Sequence, residues 1–212
     1  ANLLCGSAAV FMATQEQFLW AFALILAGGL FDFFDGASAR WLKVPSPLGV
    51  QLDSLADDIT FGLAPAMVLF SYLKPIIGWW ALIALLIAAF SALRLAKFNI
   101  DERQTTSFIG LATPANAIFW LGMAYGYQSL LDAISPWWIL AAVIVFSYLL
   151  VCELPMFSLK FHNFRWADNR MRYLFIIGVI VLAACFWHKS LPLIIIWYIL
   201  LSIVGAVTVK RK

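Results

Sequence analysis

The sequence predicts an all-α, polytopic integral membrane bundle, and three observations carry that prediction. Of 212 residues, 64% are hydrophobic and 12% charged, against roughly 25% charged in an ordinary soluble domain. Mean hydropathy is +0.93. With 10 Trp and 18 Phe, the apolar residues exceed what one water-surrounded core of this length can hide, so lipid is the solvent. Finally, polar clusters cut the chain into apolar runs of the length a bilayer demands, about 20 helical residues for a hydrocarbon core of about 30 Å.

Eight spans are expected, at 1–14, 17–39, 48–73, 75–98, 112–131, 136–152, 171–187 and 191–209. The first is short, because its roughly thirteen apolar residues rise only about 20 Å. As the chain opens on Ala1, that span is read as truncated and the natural protein as beginning upstream. A cleaved signal peptide fits less well, since no basic segment precedes the run and no polar domain follows it. No linker, low-complexity tract or internal repeat divides the chain, so 1–212 is expected to form a single membrane-embedded domain. Cys5, Cys152 and Cys185 are scattered through apolar runs, with neither a disulfide framework nor metal-ligand spacing. Gly122 and Gly126 fit close helix packing, and His162 and His188 receive no role.

Orientation follows from the basic residues, which stay on the cytoplasmic side. One set of span ends carries Arg40, Lys43, Arg94, Lys97, Arg103, Lys160, Arg165, Arg170, Arg172, Lys210, Arg211 and Lys212; the other carries Lys74 and Lys189. Both termini are therefore expected in the cytoplasm. The net charge of +3 comes with no nucleic-acid motif, and the basic ends suit anchoring to anionic lipid.

Five of the 11 acidic residues, Asp32, Asp35, Asp53, Asp57 and Asp58, fall in apolar segments on either side of one short loop. A carboxylate at the centre of a membrane helix costs about 2.5 to 3.5 kcal/mol on insertion scales, and such groups face a bundle interior, a water-filled cavity or a cation. Asp32 and Asp35 are spaced i, i+3 and Asp53 and Asp57 i, i+4, so each pair projects from one helix face. The two spans are antiparallel neighbours, and their faces can meet. Hard oxygen donors of this kind suit Mg²⁺, Mn²⁺ or Ca²⁺. Ion pairing with Arg40, Arg94 and Lys97, or a proton or divalent-cation transport pathway, would use the same carboxylates. Asp58 is rotated by about 100° from Asp57 and should point away from the cluster. Small residues at 36 to 39 and Gly49 clear space for a ligand to approach backbone, and Arg40 offers a cation suited to phosphate.

Taken together, Asp32, Asp35, Gly36, Ala39, Arg40, Gly49, Asp53 and Asp57 fill every fixed position of D-x-x-D-G-x-x-A-R-x8-G-x3-D-x3-D, a pattern that resembles the signature of the CDP-alcohol phosphotransferases. Eight fixed positions coincide across twenty-six residues, positions 32–57, which makes the match specific. The resemblance implies a membrane enzyme, usually a homodimer, that displaces CMP from a CDP-linked lipid or alcohol with an incoming hydroxyl and a divalent metal. It would make Asp32, Asp35 and Asp53 ligands of Mg²⁺ or Mn²⁺, two ions being expected. Asp57 would bridge to the metals or accept the nucleophile's proton, and Gly36, Ala39, Arg40 and Gly49 would face the CDP moiety.

Other segments narrow the resemblance. Asn2-Leu3-Leu4-Cys5-Gly6, Asp53 to Asp57, Phe61 to Ala66, Arg94-Leu95-Ala96-Lys97-Phe98-Asn99 and Phe108-Ile109-Gly110-Leu111 look like the bacterial and archaeal phosphatidylserine synthase branch. That branch implies CDP-diacylglycerol and L-serine as substrates and phosphatidylserine and CMP as products, made at the cytoplasmic face of the inner membrane. Glycerol 3-phosphate and inositol phosphate are the alternative acceptors. Arg94, Lys97 and Asn99 are the expected partners for serine's charged groups or the donor phosphates. Ala112, where the branch often has Pro before the Thr-Pro step, and the extra acid Asp58 depart from its pattern.

Overall fold

The computed structural model describes residues 1–42, 46–101, 108–159 and 165–210. Ten α-helices dominate them. The first two, α1 (Asn2–Thr14) and α2 (Phe18–Leu42), form a hairpin through a tight turn at Glu16. Next come α3 (Pro47–Asp57), a π-helical turn (Asp58–Leu63) and α4 (Ala64–Ile77), which together form one continuous rod. A 3₁₀ stretch (Gly78–Leu85) leads into α5 (Leu86–Ile100). Beyond these lie α6 (Thr113–Gly126), α7 (Gln128–Ala133), α8 (Pro136–Val151), α9 (Trp166–Phe186) and α10 (Ser190–Lys210).

Among the described residues, four stretches are long and apolar enough to cross a membrane: Phe18–Ser38, Pro47–Ile100, Asn169–Phe186 and Ser190–Val207, with Asn2–Thr14 and Pro136–Val151 as shorter apolar helices. This is a helical membrane protein. The 54-residue Pro47–Ile100 stretch would extend about 81 Å as one straight helix, far beyond a bilayer, and it breaks at Gly78, where φ is +59°. Pro75 sits inside α4, and the break comes three residues later.

Helix packing relies on small residues. Ala9, Ala13, Ala21, Ala64 and Ala117 are all fully buried between α1, α2, α4 and α6, where their size lets backbones approach closely. A second cluster, including Leu69, Leu73, Ile87, Trp120, Val143 and Leu150, fills the space between α4, α5, α6 and α8. Gly122 lies in such a contact: a Cβ there would meet Pro192 Cδ of α10 at 2.6 Å. Leu30, Trp79, Trp138, Ile180 and Val204 are exposed around the bundle, as a surface facing hydrocarbon requires.

One element departs from the all-α expectation. Two-residue strands β1 (Phe108–Ile109) and β2 (Pro155–Met156) pair antiparallel, Phe108 opposite Met156 and Ile109 opposite Pro155. Gly110 N–H donates to Leu154 O at 2.9 Å and Leu111 N–H to Leu149 O at 2.8 Å. The ladder satisfies backbone groups where two helices end together, a demand that hydrophobic periodicity does not register. Arg172 of α9 also serves that end of the bundle, donating from Nε to Ser158 O at 2.8 Å.

Gly110 joins β1 to α6 at φ +75°, and a Cβ there would stand 2.5 Å from Leu150 O. Both the left-handed backbone and the contact demand glycine. Gly110→Ala should therefore lower stability by about 1 to 3 kcal/mol, read as a lower thermal midpoint of the detergent-solubilised protein. An unchanged midpoint would show that the ladder contributes nothing to the fold.

Candidate active site

The acidic residues gather where α2 and α3 lie side by side. Helix α3 begins with a capped turn: Ser46 Oγ accepts Gly49 N–H at 3.0 Å, with Pro47 in the first helical position. That start suits both residue types, and it sets the register that carries Asp53 and Asp57 on one face. Carboxylate oxygens of Asp32, Asp35 and Asp53 come within 4.8 Å of one another. Asp32 also lies against Asp57. Asp35 and Asp53 are exposed, whereas Asp32 and Asp57 are half-buried.

Such a spacing fits a divalent cation. Ligand bonds of about 2.0 to 2.6 Å place opposite oxygens roughly 4 to 5 Å apart around one ion, and three hard carboxylates in that range form a suitable donor set.

Beside the acids opens a cleft of about 540 Å³ lined by Asp35, Asp53, Gly36, Gly49, Asn2 and Val50, among others. Its volume falls within the range of small-molecule sites. Gly36 and Gly49 thus lie together at the cleft beside two of the acids, while the side chains of Ala39 and Arg40 lie outside the described residues.

The positions assigned to the acceptor separate. Arg94 is 8% exposed; its Nη1 donates to Thr113 Oγ1 at 3.4 Å, its guanidinium lies 5.4 Å from the Phe98 ring centroid, and its buried Nε has no partner among the described residues. Arg94 and Lys97 line a cavity of about 330 Å³ together with Asp101 and Glu153. Asn99 instead donates to Ser54 Oγ at 2.9 Å, tying α5 to α3. Asp58 turns away from the other acids, its buried Oδ1 lying with Ser91 of α5 against Gly62. Arg103 lies outside the described residues.

Two residues of the site carry no role in the sequence reading. Asn2 Nδ2 donates to Asp57 Oδ1 at 2.9 Å, and Thr60 Oγ1 donates to Asn2 Oδ1 at 2.7 Å. The available signal was a polar residue opening α1 and another inside an apolar run, each costly unless satisfied.

A family profile described as CDP-alcohol phosphatidyltransferase matches residues 1–151, which include the four motif carboxylates, Asn2, Thr60 and Arg94. The chain belongs to that family. Among relatives of this phosphatidyltransferase, a Bacillus subtilis protein named CDP-diacylglycerol–serine O-phosphatidyltransferase is 35% identical over 164 residues, covering 76% of this chain and 88% of the relative. A Mycobacterium bovis protein of the same name is 32% identical over 213 aligned positions, covering 95% and 72%. One from Helicobacter pylori is 36% identical over 120 residues, covering 55% and 51%.

Proposed function

We propose that this phosphatidyltransferase moves the phosphatidyl group of CDP-diacylglycerol to the hydroxyl of L-serine, giving phosphatidylserine and CMP. The observation that carries the reading is the meeting of Asp32, Asp35 and Asp53, with Asp57 against Asp32, beside a glycine-lined cleft, in a chain whose relatives bear that name. Asp32, Asp35 and Asp53 would hold Mg²⁺ or Mn²⁺, two ions being expected, and Asp57 would serve as the proton acceptor beside them. Bound metal supplies positive charge against the pyrophosphate and the departing CMP.

The chain's own groups do the rest. Gly36 and Gly49 leave room for the nucleotide to lie against backbone, and by the family motif Ala39 and Arg40 would also meet the CDP moiety, a guanidinium being suited to phosphate. The serine hydroxyl oxygen bonds to the phosphorus that carries diacylglycerol, and the bond from that phosphorus to the CMP oxygen breaks. Asp57 takes the hydroxyl proton as the new bond forms. The cavity beside Arg94 carries both signs of charge, which suits a zwitterion. Arg94 and Lys97 match serine's carboxylate, and Asp101 and Glu153 its ammonium. Asn99 supports this wall through Ser54 rather than by meeting serine.

The reading extends to the cell. Residues 1–212 act as one domain crossing the inner membrane eight times, with both termini and the acidic cleft on the cytoplasmic side, as a homodimer among anionic lipids. The crowding of basic residues at one set of span ends supports the orientation.

Purified protein given CDP-diacylglycerol, Mn²⁺ and a panel of acceptors should release CMP with serine and lose that activity in EDTA. Asp57→Asn should cut turnover by about two to four orders of magnitude, whereas Asp58→Asn should keep most of it. Release with glycerol 3-phosphate or inositol phosphate but not serine would contradict the acceptor, and metal flux into liposomes without CMP would indicate a transporter. For orientation, a cysteine placed between residues 160 and 172 should resist an impermeant maleimide in intact cells; labelling there would reverse the topology.

A further inference from the structure

We propose that Asn2 and Thr60 act as a buried pair of positioning residues that hold one oxygen of Asp57 and leave the other for the acceptor hydroxyl. The inference rests on the reading above, in which Asp57 takes the serine proton.

The geometry is that of a directed chain. Thr60 is fully buried and Asn2 is 3% exposed, so the pair is largely shielded from water. The Thr60 hydroxyl donates to Asn2 Oδ1 at 2.7 Å and also lies 3.2 Å from the Asn2 backbone oxygen. The amide nitrogen of Asn2 donates to Asp57 Oδ1 at 2.9 Å. An asparagine amide offers donors on one side and an acceptor on the other. With a hydroxyl donating to its oxygen, the NH₂ side must face Asp57. Without that hydroxyl the amide can rotate by 180° and present its own oxygen to a carboxylate, turning an attraction into a repulsion between lone pairs.

Asp57 needs such a constraint. The terminal torsion of an aspartate is broad and roughly two-fold, and Asp32 and Asp53 are close neighbours of Asp57. A carboxylate free to turn would meet those acids in several ways, and a misplacement of about 1 Å in a reacting group can cost about 100-fold in rate. The fold invests in this corner. The π-helical turn begins one residue after Asp57 and contains Thr60. Gly6 of α1 faces Thr60 so closely that any Cβ there would overlap its hydroxyl, and at Gly28 of α2 a Cβ would lie 2.7 Å from Thr60 Cγ2 and 3.1 Å from Asn2 Oδ1. Glycine in both helices lets α1, α2 and the π turn close around the pair.

Three variants separate positioning from packing. Thr60→Val keeps the shape and removes the hydroxyl, Thr60→Ser restores the hydroxyl, and Asn2→Asp keeps the size but removes the donor. Each is assayed as folded, monodisperse protein in detergent for kcat and KM with serine and CDP-diacylglycerol, and for Mn²⁺ affinity by electron paramagnetic resonance. Thr60→Val should lower kcat by about ten- to 100-fold, with both KM values and Mn²⁺ affinity within about twofold of wild type. Thr60→Ser should recover most of the loss, and Asn2→Asp should lose at least as much as Thr60→Val. Wild-type kcat in Thr60→Val, equal losses in the valine and serine variants, or a parallel loss of Mn²⁺ affinity would each overturn the positioning role. If Thr60→Val does not fold, kcat of Asn2→Asp decides the matter alone. A wild-type protein that releases no CMP with serine would defeat the functional reading and the positioning role together, whereas an active wild type beside an unaffected Thr60→Val defeats the positioning role alone.

Discussion

Four carboxylates that must stand close together beside a low-dielectric bundle set the terms for the rest of this molecule. Like charges at such distances repel strongly where water is scarce, so the protein needs a frame stiff enough to hold them and access for something that neutralises them. The frame is two helices in fixed register. The Ser46 cap and Pro47 start α3 at a defined residue, and Asp53 and Asp57 then share the face that meets Asp32 and Asp35. Access comes from the open cleft along Gly36 and Gly49, where a phosphorylated nucleotide and its counter-cation can enter together. Asp35 and Asp53 lie toward that opening, while Asp32 and Asp57 sit deeper.

Small residues make this arrangement possible. Between membrane helices there is little hydrophobic driving force, so close contact depends on packing and on hydrogen bonds that have no better partner in lipid. Ala9, Ala13 and Ala21 bring α1 and α2 together, and Gly6 and Gly28 let the π turn press against both. Farther along, Gly62 leaves space for Asp58 and Ser91. Two carboxylates adjacent in sequence thereby reach different surroundings: Asp57 joins the acidic cluster, whereas Asp58 is turned toward α5.

Much of this was legible in the sequence because it depends on short-range spacing. Apolar runs separated by polar clusters mark the helices, and the i, i+3 and i, i+4 acids mark the face that meets in space. What the sequence hid depends on long-range packing. Asn2 and Asp57 are 55 residues apart and Asn2 and Thr60 are 58 apart, so no local pattern announces their contact. Likewise the hydrogen bond from Asn99 to Ser54 joins residues that become neighbours only once α5 packs on α3. The π turn and the β1–β2 ladder escaped for a related reason: each is a local adjustment to satisfy backbone or packing where larger elements meet.

The central claim is that Asp32, Asp35 and Asp53 together hold divalent metal beside the cleft, with Asp57 next to it as the proton acceptor, and locating the ion tests it most directly. Crystals grown with Mn²⁺ and a CDP-linked ligand should show anomalous difference density among Asp32, Asp35 and Asp53, with the pyrophosphate reaching it from the Gly36 and Gly49 side. Mn²⁺ density elsewhere in the bundle, or bound CDP ligand with these three acids free of metal, would contradict the account.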